Sequence, residues 1–155
     1  MIEKWNGFEI AEYQSEDFEA IAELFRDVYV KTYPQFDTKF FESERFRAIL
    51  REYTLPDSQV WTAKINGEII GFVALQQNVV DQLYIHENFQ SKGLGGFWVE
   101  QAKTIYPEFL ELYTFASNEK AIAFYEKHSF QIIERGIAPD EKMPDVKMRW
   151  ESAAT

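Results

Sequence analysis

Gln90-Ser91-Lys92-Gly93-Leu94-Gly95-Gly96 places three glycines between a run of strand formers and a run with helical spacing. Val79, Val80, Leu83, Tyr84 and Ile85 stand upstream, and Phe97 to Tyr106 carries apolar residues at helical intervals downstream. The chain therefore turns from a strand into a helix at the glycines. The first turn of a helix offers unpaired N–H groups and the positive end of a dipole, and glycine removes the Cβ atoms that would hold a phosphate off that backbone. An anionic ligand of the pyrophosphate type is expected there.

Two familiar phosphate loops do not fit. A P-loop needs Gly-Lys followed by Ser or Thr, whereas Lys92 precedes Gly93 and no hydroxyl follows. A dinucleotide fingerprint beginning at Gly93 would need a small residue where Trp98 stands, and it normally opens a domain. The pattern Gln90-x-x-Gly93-x-Gly95-Gly96, preceded by Leu83-Tyr84-Ile85, resembles the acyl-CoA-binding motif of the GNAT superfamily of N-acyltransferases. Asn118-x-x-Ala121-x-x-Phe124-Tyr125, about a strand and a helix further on, resembles a second motif of that family.

Composition narrows the class. The 155 residues, 46% hydrophobic and 17% aromatic, suffice for a packed globular core, and one domain spanning 1–155 is expected. Sixteen Lys and Arg against 26 Asp and Glu give a formal charge of -10, which repels nucleic acid and anionic membrane and favours cationic partners. The absence of cysteine excludes disulfides and thiolate metal sites, and two histidines, His86 and His128, are too few for a His-based centre, so no metal is expected. Met1 to Gly7 is short and polar, and no apolar run approaches the roughly 20 residues needed to span a bilayer. A soluble, cytoplasmic protein is expected.

Phe8 to Tyr13 alternates as a strand, and Ser15 reads as the N-cap of a helix whose face is Phe18, Ile21, Ala22, Phe25, Val28 and Tyr29, ending by Pro34. A second helix over Lys39 to Tyr53 shows apolar spacing at Phe46, Ile49, Leu50 and Tyr53. Gln59 to Ile65 and Glu68 to Gln76 flank Asn66-Gly67, a type I′ hairpin signal, and Val79 to Ile85 continues the meander after a turn at Asn78. Phe109 to Phe115 is the next strand, which the intervening helix requires to run parallel to Val79–Ile85. Ser117 or Asn118 caps the last helix, and Gln131 to Arg135 with Val146 to Trp150 forms a closing hairpin.

The resemblance implies a single-domain GNAT-like α/β fold: a mixed, mostly antiparallel sheet with a central splay and helices on both faces. It implies acetyl-CoA as cosubstrate, held by Leu83, Tyr84 and Ile85, by Gln90, Ser91, Lys92, Gly93, Leu94, Gly95 and Gly96, and by Asn118 and Tyr125. The reaction would be acetyl transfer to a primary amine. A phenol with a reference pKa near 10 is matched to a departing thiolate, making Tyr125 the candidate general acid. Backbone N–H groups at Leu83 and Ile85 would hold the pantetheine arm. No fixed base is implied; Asp81, Gln82, His86 and Glu111 are conceivable, and Asp81 is chosen. Tyr29, Tyr33 and Phe36 occupy the connection that commonly walls the acceptor pocket in this family.

Asp37, Glu42, Glu44, Asp57, Asp140, Glu141 and Asp145 gather away from the glycine segment, consistent with a small cationic amine as acceptor. Homodimerisation is a further possibility. The alternative reading is a CoA-binding sensor or interaction module without catalysis. Two departures from the family pattern stand out: Glu87 where proline is common, and Ser129 where glycine usually precedes Phe130, so that this turn avoids φ > 0 or bears strain.

Overall fold

The computed structural model describes residues 2–153. They group into two compact units, one of residues up to 76 together with 81–95, the other of 77–80 together with those from 96 onward. The expected α/β class holds, with eight strands among the described residues in mostly antiparallel pairing.

The first unit begins with a hairpin of β1 (Ile2–Trp5) and β2 (Phe8–Glu12), so the first strand precedes the expected one. Asn6-Gly7 makes its turn, with φ of +49° and +88°, and it is the same type I′ signal as Asn66-Gly67. The meander then continues through β3 (Gln59–Ile65), β4 (Glu68–Gln76) and β5 (Val79–Ile85), in the order β1-β2-β3-β4-β5. At Asn66-Gly67 φ is +53° and +80°, as the hairpin signal requires.

Helix α1 (Phe18–Thr32) buries Ile21, Ala22, Leu24, Phe25 and Tyr29. Its start differs from the Ser15 cap: Ser15–Asp17 is a 3-10 turn, and the Asp17 carboxylate accepts from the Gln14 backbone N–H at 2.9 Å. Asp17 is buried and pairs with Lys64 at 3.3 Å. That ionic partner fixes the carboxylate, and with it the helix entry.

The expected second helix is broken into pieces. A 3-10 turn over Thr38–Phe41 precedes α2 (Ser43–Ile49), and a π-helical turn follows at Leu50–Thr54. The wider turn advances the apolar phase by about one residue, since it bonds i to i+5. Tyr53, expected in the core, is consequently 68% exposed, and Thr54 takes the interior position at 0%.

In the second unit Val79 and Val80, the first two residues of β5, precede β6 (Phe109–Phe115), β7 (Gln131–Ile137) and β8 (Pro144–Glu151), which pair in the order β6-β8-β7. The expected parallel pairing is present as Val79 opposite Glu111, supported by the Glu111 N–H on Asn78 O at 2.8 Å. Gln77, with φ +51°, turns the chain before β5, while the Asn78 side chain donates to Phe109 O at 2.9 Å. Helix α3 (Leu94–Ile105) starts three residues before Phe97, so Gly95 and Gly96 lie in its first turn.

Helix α4 (Glu119–Lys127) is capped by Asn118, whose Oδ1 accepts from the Ala121 N–H at 3.1 Å. Its far end is a Schellman motif: Ser129 N–H donates to Glu126 O and Phe130 N–H to Tyr125 O, each at 3.0 Å. Ser129 occupies the left-handed position at φ +72°, so strain is borne there and not avoided. A side chain in that region costs about 1 kcal/mol relative to glycine. The hydrophobic contact of the motif is the Tyr125–Phe130 ring pair, with centroids 5.5 Å apart.

Candidate functional site

In the first unit, Asp81, Leu83, Tyr84 and Ile85 lie on β5, and the chain passes through a 3-10 turn at Glu87–Phe89 into the glycine segment. Gln90 Nε2 donates to Ile85 O at 2.8 Å, bracing the segment against the strand end. Ser91, Lys92 and Gly93 are exposed, and Ser91 and Gly93 have φ of +62° and +88°. Left-handed residues at such close spacing turn successive peptide N–H groups toward one side, the concavity that binds anions. At Leu94 the chain enters a helix of 12 residues. Exposed backbone, a cation at Lys92 and a helix N-terminus fit a pyrophosphate group.

Two of the expected ligand residues have side chains packed into the unit. The Leu94 side chain is 1% exposed, and the Tyr84 ring packs at 4.7 Å from Phe25 and 5.9 Å from Phe72. Tyr29, Tyr33 and Phe36 come together as expected, but as a buried aromatic cluster, with Tyr33 stacked on Phe36 at 4.8 Å. Arg45 lies over the Tyr29 ring at 5.4 Å.

Asp81 is half-buried, and Thr54 Oγ1 donates to its Oδ2 at 3.2 Å. Desolvation pushes its carboxyl pKa up against the opposing effect of the Thr54 hydrogen bond. The raised value brings Asp81 toward the range useful for a base, the condition its ordinary acidity did not meet. It also dictates a pH effect on stability. A carboxyl that binds its proton more tightly folded than unfolded stabilises the fold below the ordinary value of 3.8 and loses that contribution as pH rises through the folded value. Asp81→Asn keeps an acceptor for Thr54 and removes the buried charge. In thermal melts the variant should exceed the wild type at pH 7, with the difference vanishing below pH 3.8; equal pH dependence of the two proteins would contradict the burial argument.

Two of the other conceivable bases, His86 and Glu111, make contacts of their own. His86 Nδ1 accepts from the Asn88 N–H at 3.1 Å, capping the 3-10 turn, and the His86 N–H donates to Ile70 O. Glu87, at the place of the usual proline, pairs with Lys31 at 2.7 Å. The acidic ensemble is partly committed: Glu44 lies 3.8 Å from Arg47 and 3.4 Å from Arg51, and Asp37 accepts from the Lys39 backbone N–H at 3.0 Å as a turn cap.

In the second unit, Gly96 is held close to the His128 ring, whose Cε1 would stand 3.1 Å from any Cβ at that position. His128 is braced by Glu100 at 3.2 Å, and Lys103 donates to its carbonyl at 2.7 Å. Tyr125 is 9% exposed, with Phe124 edge-on at 5.0 Å. Asn118 acts as the α4 cap. Glu111 is bound by Arg149 at 2.6 Å and Lys147 at 3.5 Å, and the Arg149 hydrogen bond holds its pKa below the usual range, which unfits it as a base at neutral pH.

Sequence reasoning missed Trp5, whose ring would lie 3.2 Å from a Cβ at Gly93, and Asn6, which donates to Lys92 O at 3.3 Å. The Asn6-Gly7 dipeptide was the available signal.

A glycine segment opening a helix after the β5 meander, followed by a helix with an Asn cap and an inward Tyr, is the arrangement of an acyl-CoA-dependent N-acetyltransferase. The chain belongs to the acetyltransferase (GNAT) family, whose family model matches residues 18–130. It is 32% identical over 111 residues to the peptidyl-lysine N-acetyltransferase YjaB of Salmonella typhimurium, covering 69% of this chain and 76% of that protein. The solution structure of apo YjaB from Escherichia coli superposes with a TM-score of 0.78 at 22% identity, covering 94% of this chain and 99% of the other. The paia N-acetyltransferase of Thermoplasma acidophilum, solved in complex with coenzyme A, has a TM-score of 0.69 at 20% identity over 93% and 98% of the two chains. As a family member the chain is an acyltransferase, which removes the non-catalytic sensor as the reading of choice. No helix of the described residues is long and apolar enough to cross a membrane, and no metal-binding group of side chains occurs among them.

Proposed function

We propose that residues 1–155 act as one catalytic domain transferring an acetyl group from acetyl-CoA to a cationic primary amine. The observation that carries this is the exposed segment Ser91–Gly93, with two left-handed residues, running directly into α3. In this reading the segment and the first turn of α3 bind the pyrophosphate, and Lys92 adds a charge-assisted contact. The amides of Leu83 and Ile85 hold the pantetheine arm and polarise the thioester oxygen, with Asn118 contributing at the start of α4. Asp81 takes a proton from the bound ammonium, directly or through water; the neutral amine then attacks the thioester carbonyl, the C–S bond breaks, and Tyr125 delivers a proton to the departing thiolate. Tyr29, Tyr33 and Phe36 back the acceptor side.

Two forms of acceptor satisfy the charge requirement: a small polyamine-like or aminosugar-like molecule, and a lysine side chain of a protein. The activity that YjaB is named for, peptidyl-lysine acetylation, favours the second. A panel of dications, neutral amines, anionic amines and lysine-bearing peptides, followed by release of free CoA thiol, separates them. Cationic acceptors should be preferred, and their KM should rise with ionic strength as charges are screened over about 8 to 10 Å. Preference for neutral or anionic amines of equal size, or a KM indifferent to salt, would remove charge from acceptor selection.

A further inference from the structure

The Asn6-Gly7 turn of the N-terminal hairpin rests on the glycine segment within the first unit. Asn6 Nδ2 donates to Lys92 O at 3.3 Å. Trp5, stacked at 6.3 Å on Phe8, fills the space beside Gly93 where a Cβ would stand, within 3.2 Å. Phe8 in turn meets the Phe89 ring edge-on at 6.2 Å, so the hairpin grips both ends of the stretch leading to Gly93. The Asn6 hydrogen bond and the Trp5 contact bear on a single peptide plane, that between Lys92 and Gly93. The oxygen and hydrogen of a trans peptide point in opposite directions. With Lys92 O directed at Asn6, the Gly93 N–H is directed away from the hairpin. Gly93, at φ +88°, carries no side chain to obstruct Trp5 or to shield that N–H.

We propose that Trp5 and Asn6 are positioning residues for cosubstrate binding: they hold the Lys92–Gly93 peptide so that the Gly93 N–H faces the pyrophosphate of acetyl-CoA. The inference rests on the glycine segment being the pyrophosphate site, as set out above. Its energetic basis is preorganisation. A loop already held in its binding conformation loses less freedom when the ligand arrives, so a weak exposed hydrogen bond in the free protein is returned as affinity.

Two acetyl donors test it, acetyl-CoA and S-acetylpantetheine, which keeps the thioester and arm and lacks the pyrophosphate. Asn6→Gly retains a residue that accepts positive φ and deletes the donor; Trp5→Ala deletes the ring; Trp5→Phe retains an aromatic face. Asn6→Gly and Trp5→Ala should raise KM for acetyl-CoA by about tenfold, the weight of one hydrogen bond to a charged group, with kcat unchanged. Trp5→Phe should restore most of the loss, and kcat/KM for S-acetylpantetheine should be unaltered in all three. An equal loss with both donors would make the hairpin a general packing element and overturn the proposal, as would an unchanged KM for acetyl-CoA. Should Trp5→Ala fail to fold, Asn6→Gly decides alone, because it leaves the hairpin's ring packing in place. A wild-type chain that binds no CoA by calorimetry would instead overturn the assignment of the pyrophosphate site itself.

Discussion

Tyr125→Phe should fold, bind CoA with wild-type affinity, and lose kcat by about 10² to 10⁴, the range typical of a general acid. The two functions of this side chain are separable because they use different atoms. Its ring packs edge-on against Phe124 at 5.0 Å and Phe130 at 5.5 Å, contacts that phenylalanine reproduces. Its backbone carbonyl anchors the α4 end by accepting from the His128 and Phe130 N–H groups, each at 3.0 Å, and no side-chain change removes that. Only the hydroxyl is deleted, and it is the part of the side chain that ring packing does not explain. Single-turnover rates and calorimetric CoA affinity, measured on the same preparation, check both halves. Turnover within a few-fold of wild type would assign Tyr125 to the core alone.

Where local chemistry decides structure by itself, the sequence was read closely. Asn66-Gly67 fixed a hairpin because few residue pairs accept φ of +53° and +80° in succession, and the parallel pairing of Val79 with Glu111 follows from a helix joining two strands. The elements that escaped depend on partners distant in the chain. Asp17 takes part in the cap in place of Ser15 because Lys64, on β3, neutralises a carboxylate that would otherwise resist burial. The π-helical turn at Leu50–Thr54 rotates Tyr53 outward and Thr54 inward, where Thr54 meets Asp81; the apolar spacing alone favours a continuous helix. Trp5 reads as an isolated aromatic in a polar terminus until the hairpin folds it beside Gly93. Gly95 and Gly96, grouped with Gly93 by pattern, differ from it physically: Gly93 alone of the three has positive φ, while Gly96 is small because His128 lies against it. The glycine segment between strand and helix was therefore legible, and its supports were not.

Gly95→Glu should abolish CoA binding while leaving the protein folded, and the reason lies in where the helix begins. Gly95 is the second residue of α3 and does not have positive φ, so a side chain there meets no backbone prohibition. A carboxylate in the first turn is favourable to the helix, since it faces the positive end of the dipole. The same carboxylate then competes for the N–H groups proposed to hold the pyrophosphate and repels its charge, making loss of binding independent of loss of structure. Thermal unfolding with and without CoA gives the contrast directly. At a hundred times its dissociation constant, CoA should add about 2.7 kcal/mol to the stability of the wild type by mass action, and nothing to the variant. In the absence of ligand the variant should melt at or above the wild-type temperature. Intact calorimetric affinity in Gly95→Glu would take the first turn of α3 out of the cosubstrate site, and a wild type unshifted by CoA would take the whole segment out with it.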